Sequence, residues 1–149
     1  MRRFILLPAL LLAFPAQAAD PAFCKALETI VKAGMAPDRF KSVQGKQYFE
    51  LEYHGTATLP GLGRCFTTPK GMWPSYTCHA EKLKPAEAAA LETKVKNEIE
   101  SCVGGTMVRA TDISLEPWIL RESVGSYPYF SLLKILDKQV TFRFVMPKD

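Results

Sequence analysis

Residues 63–78 read GRCFTTPKGMWPSYTC, two cysteines with twelve residues between them that include two prolines, a glycine, a tryptophan and a tyrosine. If the segment folds back symmetrically about Gly71-Met72, Pro69 opposes Pro74, Thr67 opposes Tyr76, and Cys65 opposes Cys78. A two-residue loop that begins with glycine suits a type II′ turn. The flanking prolines cannot join a regular ladder, so the tip widens into a loop over Thr68 to Ser75, between strands expected at about 63–68 and 75–80. Directly opposed cysteines lie within disulfide reach.

Working outward, Asp20-Pro21 supplies an N-cap and a first helical residue, and Phe23, Leu27, Ile30 and Val31 recur at helical spacing until Gly34. A first helix is expected over 21–33. A second follows Pro85, over 86–103, with an apolar stripe of Ala88, Leu91, Val95, Ile99, Cys102 and Val103. Its outer face pairs Glu92 with Lys96 and Lys94 with Glu98 at i,i+4, and Gly104-Gly105 ends it. Were the two helices antiparallel neighbours, Cys24 near the start of one would meet Cys102 near the end of the other. The spacing thus favours Cys65 with Cys78 and Cys24 with Cys102. The competing arrangement, in which each helix is tied to the hairpin, stays open, since four cysteines allow three pairings.

Between the first helix and the hairpin, QYFELEYH alternates, with Phe49, Leu51 and Tyr53 on one face and Tyr48, Glu50, Glu52 and His54 on the other. It reads as a single half-buried strand whose apolar face covers the core. Thr111 to Glu116 alternates briefly, Trp118 to Glu122 continues it or starts another strand, and Phe130 to Leu136 and Val140 to Met146 flank a tight turn at Asp137-Lys138-Gln139. Val140, Phe142, Phe144 and Met146 fall on one face of the last strand. The fold expected is α+β: two helices packed on one face of an antiparallel sheet, in the order α-β-β-β-α-β-β with room for one more strand, stapled by two disulfides. The order also hints at a duplicated helix-plus-strands unit, although no residue-level repeat is visible.

At the N-terminus, Arg2-Arg3, the apolar run from Phe4 to Phe14 and Ala16-Gln17-Ala18 read as a secretory signal peptide over 1–18, ahead of one domain over 19–149. The apolar run is interrupted by Pro8 and Pro15 and is shorter than the ~20 residues that a spanning helix needs. Four cysteines, all in the exported part, point to an oxidising compartment, periplasmic or extracellular. Removing Arg2 and Arg3 leaves 17 basic against 15 acidic residues, a net charge of +2, and no basic run. That balance argues against nucleic acid as a partner.

Chemistry-bearing motifs are sparse. Glu50, Glu52 and His54 on one strand face are suggestive of acid/base or metal chemistry but lack a third ligand or orienting group. His79, expected opposite Arg64, reads as a surface residue. Ser126 lacks the nucleophile-elbow glycine pattern, and no glycine-rich phosphate loop opens a helix, so no cofactor is expected. Three proline-linked aromatic groups are the candidate binding residues: Met72, Trp73 and Tyr76; Trp118; and Tyr127 and Tyr129. Aromatic and methionine side chains on stiff loops suit contact with a protein partner. The functional expectation is a non-enzymatic binder of inhibitor, immunity or accessory type, ahead of a carrier of an apolar ligand and of a small hydrolase using His54.

Overall fold

A computed structural model describes residues 18–70, 72–111, 117–121 and 128–147. The elements run α1 (Pro21–Met35), β1 (Gln44–Phe49), β2 (Glu52–Gly55), β3 (Arg64–Thr68), β4 (Ser75–Ala80), α2 (Pro85–Val103), β5 (Met107–Arg109), β6 (Trp118–Leu120), β7 (Tyr129–Ile135) and β8 (Gln139–Val145). A helix followed by four strands therefore occurs twice. Pro21 and Pro85 open the helices and Ser75 and Gln139 open the last strands, an interval of 64 residues in both cases. The two antiparallel meanders join through their last strands, giving one sheet in the order β1-β2-β3-β4-β8-β7-β6-β5.

Both helices lie on one face, α1 over β4 and β8, α2 over β7 and β8. Asp20 caps α1 by accepting from the Ala22 amide at 2.9 Å. The helix continues through Gly34 because that glycine is a contact point and not a stop. A Cβ there would stand 2.7 Å from the Phe144 ring and 2.8 Å from the Phe40 ring. Phe40, in the left-handed region at φ 57°, turns back into the core and meets Phe144 edge-on at 6.1 Å. The remaining inward positions, Phe23, Leu27, Ile30, Leu132, Val140 and Phe142, fill the space between helices and sheet. Removal of this apolar surface from water is the main stabilising contribution.

The staple is as the hairpin symmetry predicts: Cys65 pairs in register with Cys78 and is bonded to it, and Cys24 is bonded to Cys102. Both opposed cysteines face the core. The last two strands also keep the expected parity, with Val140, Phe142, Phe144 and Met146 all buried beneath the helices.

Three expectations fail, each for a physical reason. QYFELEYH is not one strand but a hairpin, β1 and β2, turning at Glu50-Leu51. No turn-forming residue signals the reversal; the Gln47 amide makes it, donating to the Phe49 and Glu50 carbonyls at 3.2 and 2.9 Å. Phe49 and Leu51 consequently end at an exposed tip, 65% and 48% accessible, instead of in the core. Glu92 does not sit on the outer face of α2 with Lys96. It is buried and meets Arg109 at 3.3 Å, because β5, a strand absent from the sequence reading, brings that guanidinium beneath the helix. Lys96 pairs instead with Glu100 at 2.8 Å. The closing turn also shifts by one residue, to Leu136–Lys138, with Leu136 and Asp137 both at positive φ. The expected strand over Thr111–Glu116 lies outside the described residues save for Thr111, which is in a turn.

Candidate functional site

Both helices lie on one side, and no described helix covers the other side of the sheet. Strand parity decides which residues face it. Since Cys65 and Thr67 point inward, Arg64, Phe66 and Thr68 point outward on β3, and in-register pairing does the same for Thr77 and His79 on β4. Thr141 and Arg143 of β8 and Ser131 and Leu133 of β7 complete the face. Together they line a half-open depression of about 620 Å³.

One flank of the depression is a ladder of rings crossing four strands. Tyr48 of β1 contacts His54 of β2 at 5.1 Å between ring centres, His54 contacts Phe66 of β3 at 5.4 Å, and Phe66 contacts His79 of β4 at 5.4 Å. Such cross-strand aromatic pairs stabilise a sheet beyond the area they bury. The His79 ring is partly buried, and its Nδ1 has no hydrogen-bond partner. Burial holds its pKa below the usual histidine value; the Glu81 carboxylate opposes that shift and the Arg64 guanidinium adds to it. Arg64 and Glu81 form an ion pair at the rim.

At one end of the sheet, the β1–β2 tip stands beside the β3–β4 tip, because β2 and β3 pair antiparallel through Tyr53 and Thr67. Phe49 and Leu51 are thus at the same end of the sheet as Met72 and Trp73, which are 70% and 41% exposed. Tyr129 lies on the open face at the same end, in register with Val145, half-buried.

The other candidate binding residues go elsewhere. Tyr76, expected near the exposed tip, is fully buried, since it alternates with Thr77 and so faces the helices. Its hydroxyl donates to the Ala57 carbonyl at 2.6 Å and accepts from the Ala57 amide at 3.1 Å, fixing the 56–62 connector to β4. Burial raises its pKa to about 12, partly offset by the Ala57 hydrogen bond. A Cβ on Gly55 would stand 2.1 Å from the Tyr76 hydroxyl, so only glycine fits beneath it. Trp118 lies on the helix side of β6, with the Arg109 guanidinium 4.3 Å and the Lys96 ammonium 5.2 Å from its ring centre. Tyr127 lies outside the described residues. The three aromatic groups therefore do not form one patch.

Of Glu50, Glu52 and His54, Glu50 is in the turn, while Glu52 and His54 keep the same outward face of β2, with the His54 ring part of the ladder. No group of three histidine, cysteine or carboxylate side chains is placed to hold a metal ion among the described residues. No described helix is long and apolar enough to cross a membrane. Sequence reasoning passed over Phe66, Thr77, Thr141 and Arg143 as site residues, although the inward parity of Cys65, Cys78 and Phe142 already dictated that they face outward.

Comparison with known proteins adds no assignment: no protein-family model, no curated protein and no solved structure matches the chain.

Proposed function

We propose that the protein is an exported, non-enzymatic binder of a protein partner, of inhibitor, immunity or accessory type, acting in the periplasm or outside the cell. The helix-free face of the sheet is its binding surface, and the Phe49–Leu51 and Met72–Trp73 tips form its rim. The observation that carries this reading is the half-open depression lined by rings, hydroxyls and a central guanidinium. It is half open to solvent and spans strands β3, β4, β7 and β8, as a contact surface for a protein does, whereas sites for small ligands enclose most of the ligand. The eight-stranded sheet, held by two disulfides, presents these side chains from rigid elements, which lowers the ordering cost of association. Two disulfides also fit an oxidising compartment.

Carriage of an apolar ligand is less well supported, because the space between helices and sheet is occupied by Phe23, Leu27, Ile30, Phe142 and Phe144. A photo-crosslinking residue placed at Thr77 on the open face, and another at Thr93 on the exposed side of α2, test the proposal in extracts of the source's exported fraction. Adducts with one protein are expected from Thr77 and none from Thr93. Equal yields from the two positions, or no adduct from Thr77, would overturn it.

A further inference from the structure

We propose that Arg143 is the anchor of this face, a receptor for one carboxylate side chain, Asp or Glu, carried by the protein partner; this rests on the binder reading above. Arg143 occupies the middle of the sheet, in register with Thr77 of β4 on one side and Ser131 of β7 on the other. Its side chain is exposed, and its one hydrogen bond within the protein is long, Nη2 donating to the Ser75 hydroxyl at 3.4 Å. Arg64 and Arg109 are each held by a carboxylate, Glu81 and Glu92 respectively. Among the described residues no carboxylate pairs with Arg143. A guanidinium has five N–H donors in a planar fork, so most of those on Arg143 remain available, with the Thr77 and Ser131 hydroxyls as immediate neighbours.

The surroundings select the ligand. Phe66 of the ring ladder lies beyond Thr77 on one side of Arg143, and Leu133 lies one outward position along β7 from Ser131 on the other. Seating a partner there would exclude water around the guanidinium, and a desolvated charge is tolerated only with an opposite charge in good geometry. A carboxylate matches the fork with two parallel hydrogen bonds. The charged lining residues are Arg64 and Arg143 against Glu52 and Glu81, so the formal charge of the depression is zero. That balance lacks the positive excess that polyanions such as nucleic acid or an anionic membrane need, so the choice of a carboxylate rests on the Arg143 fork itself. An arginine at the centre of a face is also a usual member of an interface hot spot.

The experiment uses the protein cross-linked from Thr77, purified, as the probe for binding to the full exported chain. Arg143→Met and Arg143→Glu are each expected to weaken binding by at least about 30-fold, the lower end of the loss seen when one partner of a buried charge pair is removed. Melting temperatures should be unchanged, because the Arg143 side chain is exposed. Replacing the contacted acid of the probe with Arg should restore binding to Arg143→Glu and not to the unsubstituted chain. Binding within threefold of the original for both variants would overturn the anchor while leaving the binder reading intact. A loss of binding matched by a loss of thermal stability would overturn it too, by marking the guanidinium as structural. Failure to obtain any adduct from Thr77 would remove the binder reading and this inference with it.

Discussion

Removing one oxygen atom from the core, Tyr76→Phe, should cost a defined part of the stability. The Tyr76 hydroxyl makes two hydrogen bonds to Ala57, to its carbonyl at 2.6 Å and from its amide at 3.1 Å. Each is worth about 1 kcal/mol net, and a buried group left without a partner costs roughly 1–3 kcal/mol. Ala57 is half-buried, so water reaches it in part, and about 2 kcal/mol in total is expected. For a chain of this size that corresponds to a fall in Tm of about 6–10 °C. Urea titrations with both disulfides intact measure it directly. A loss below about 0.5 kcal/mol would refute the reasoning, by showing that the 56–62 connector does not depend on the hydroxyl. Gly55→Ala should be the more damaging change, since its Cβ would meet ring carbon Cζ at 2.5 Å as well as the hydroxyl, and the whole ring must move. Combined, the two should be non-additive, because they act on the same contact. The buried phenol also has a pH signature. Its folded pKa is raised from 10.0 to about 12, so the unfolded chain releases its proton first, and stability is full below pH 10 and lost as pH rises toward 12. Tyr76→Phe should remove that part of the alkaline loss.

Two further outcomes follow from the staples and from the open face. Replacing Cys24 and Cys102 together by Ala frees a sequence separation of 78 residues, and chain entropy alone predicts a loss of about 4.5 kcal/mol; a urea titration giving less than about 2 kcal/mol would show that the unfolded chain retains the constraint by other contacts. His79, whose folded pKa lies below its unfolded value, favours the neutral ring, so its contribution is present above about pH 6.5 and is lost as pH falls through the folded pKa. His79→Gln should therefore narrow the fall in Tm between pH 7.5 and 5, and a difference between the two proteins that is independent of pH would contradict this.

Local signals carried much of the fold. The hairpin symmetry about Gly71-Met72 favours the pairing of Cys65 with Cys78, since directly opposed residues on a ladder lie within bonding reach, and the two are bonded. The helical periods opened by Pro21 and Pro85, and the strict alternation from Val140 to Met146, likewise depend only on neighbours in the chain. What alternation cannot show is where a strand folds back: a polar–apolar pattern with period two is the same in one long strand and in a tight hairpin. QYFELEYH therefore concealed the turn made by the Gln47 side chain, and with it the exposure of Phe49 and Leu51.

The sequence by itself determined the two helices, the central strands and their inward faces and favoured the disulfide pairing, because these follow from residue period and local symmetry; that Cys24 meets Cys102 was decided by the packing of α1 beside α2. Only the tertiary structure decided that Glu92 turns inward to Arg109, that Tyr76 is a core residue bonded to Ala57, and that Trp118 lies on the helix side of the sheet. It alone set Arg143 between Thr77 and Ser131 on the face away from the helices, because that neighbourhood is made by joining β4 to β8, strands whose starts are 64 residues apart, and no local pattern encodes which distant strand will supply the neighbour.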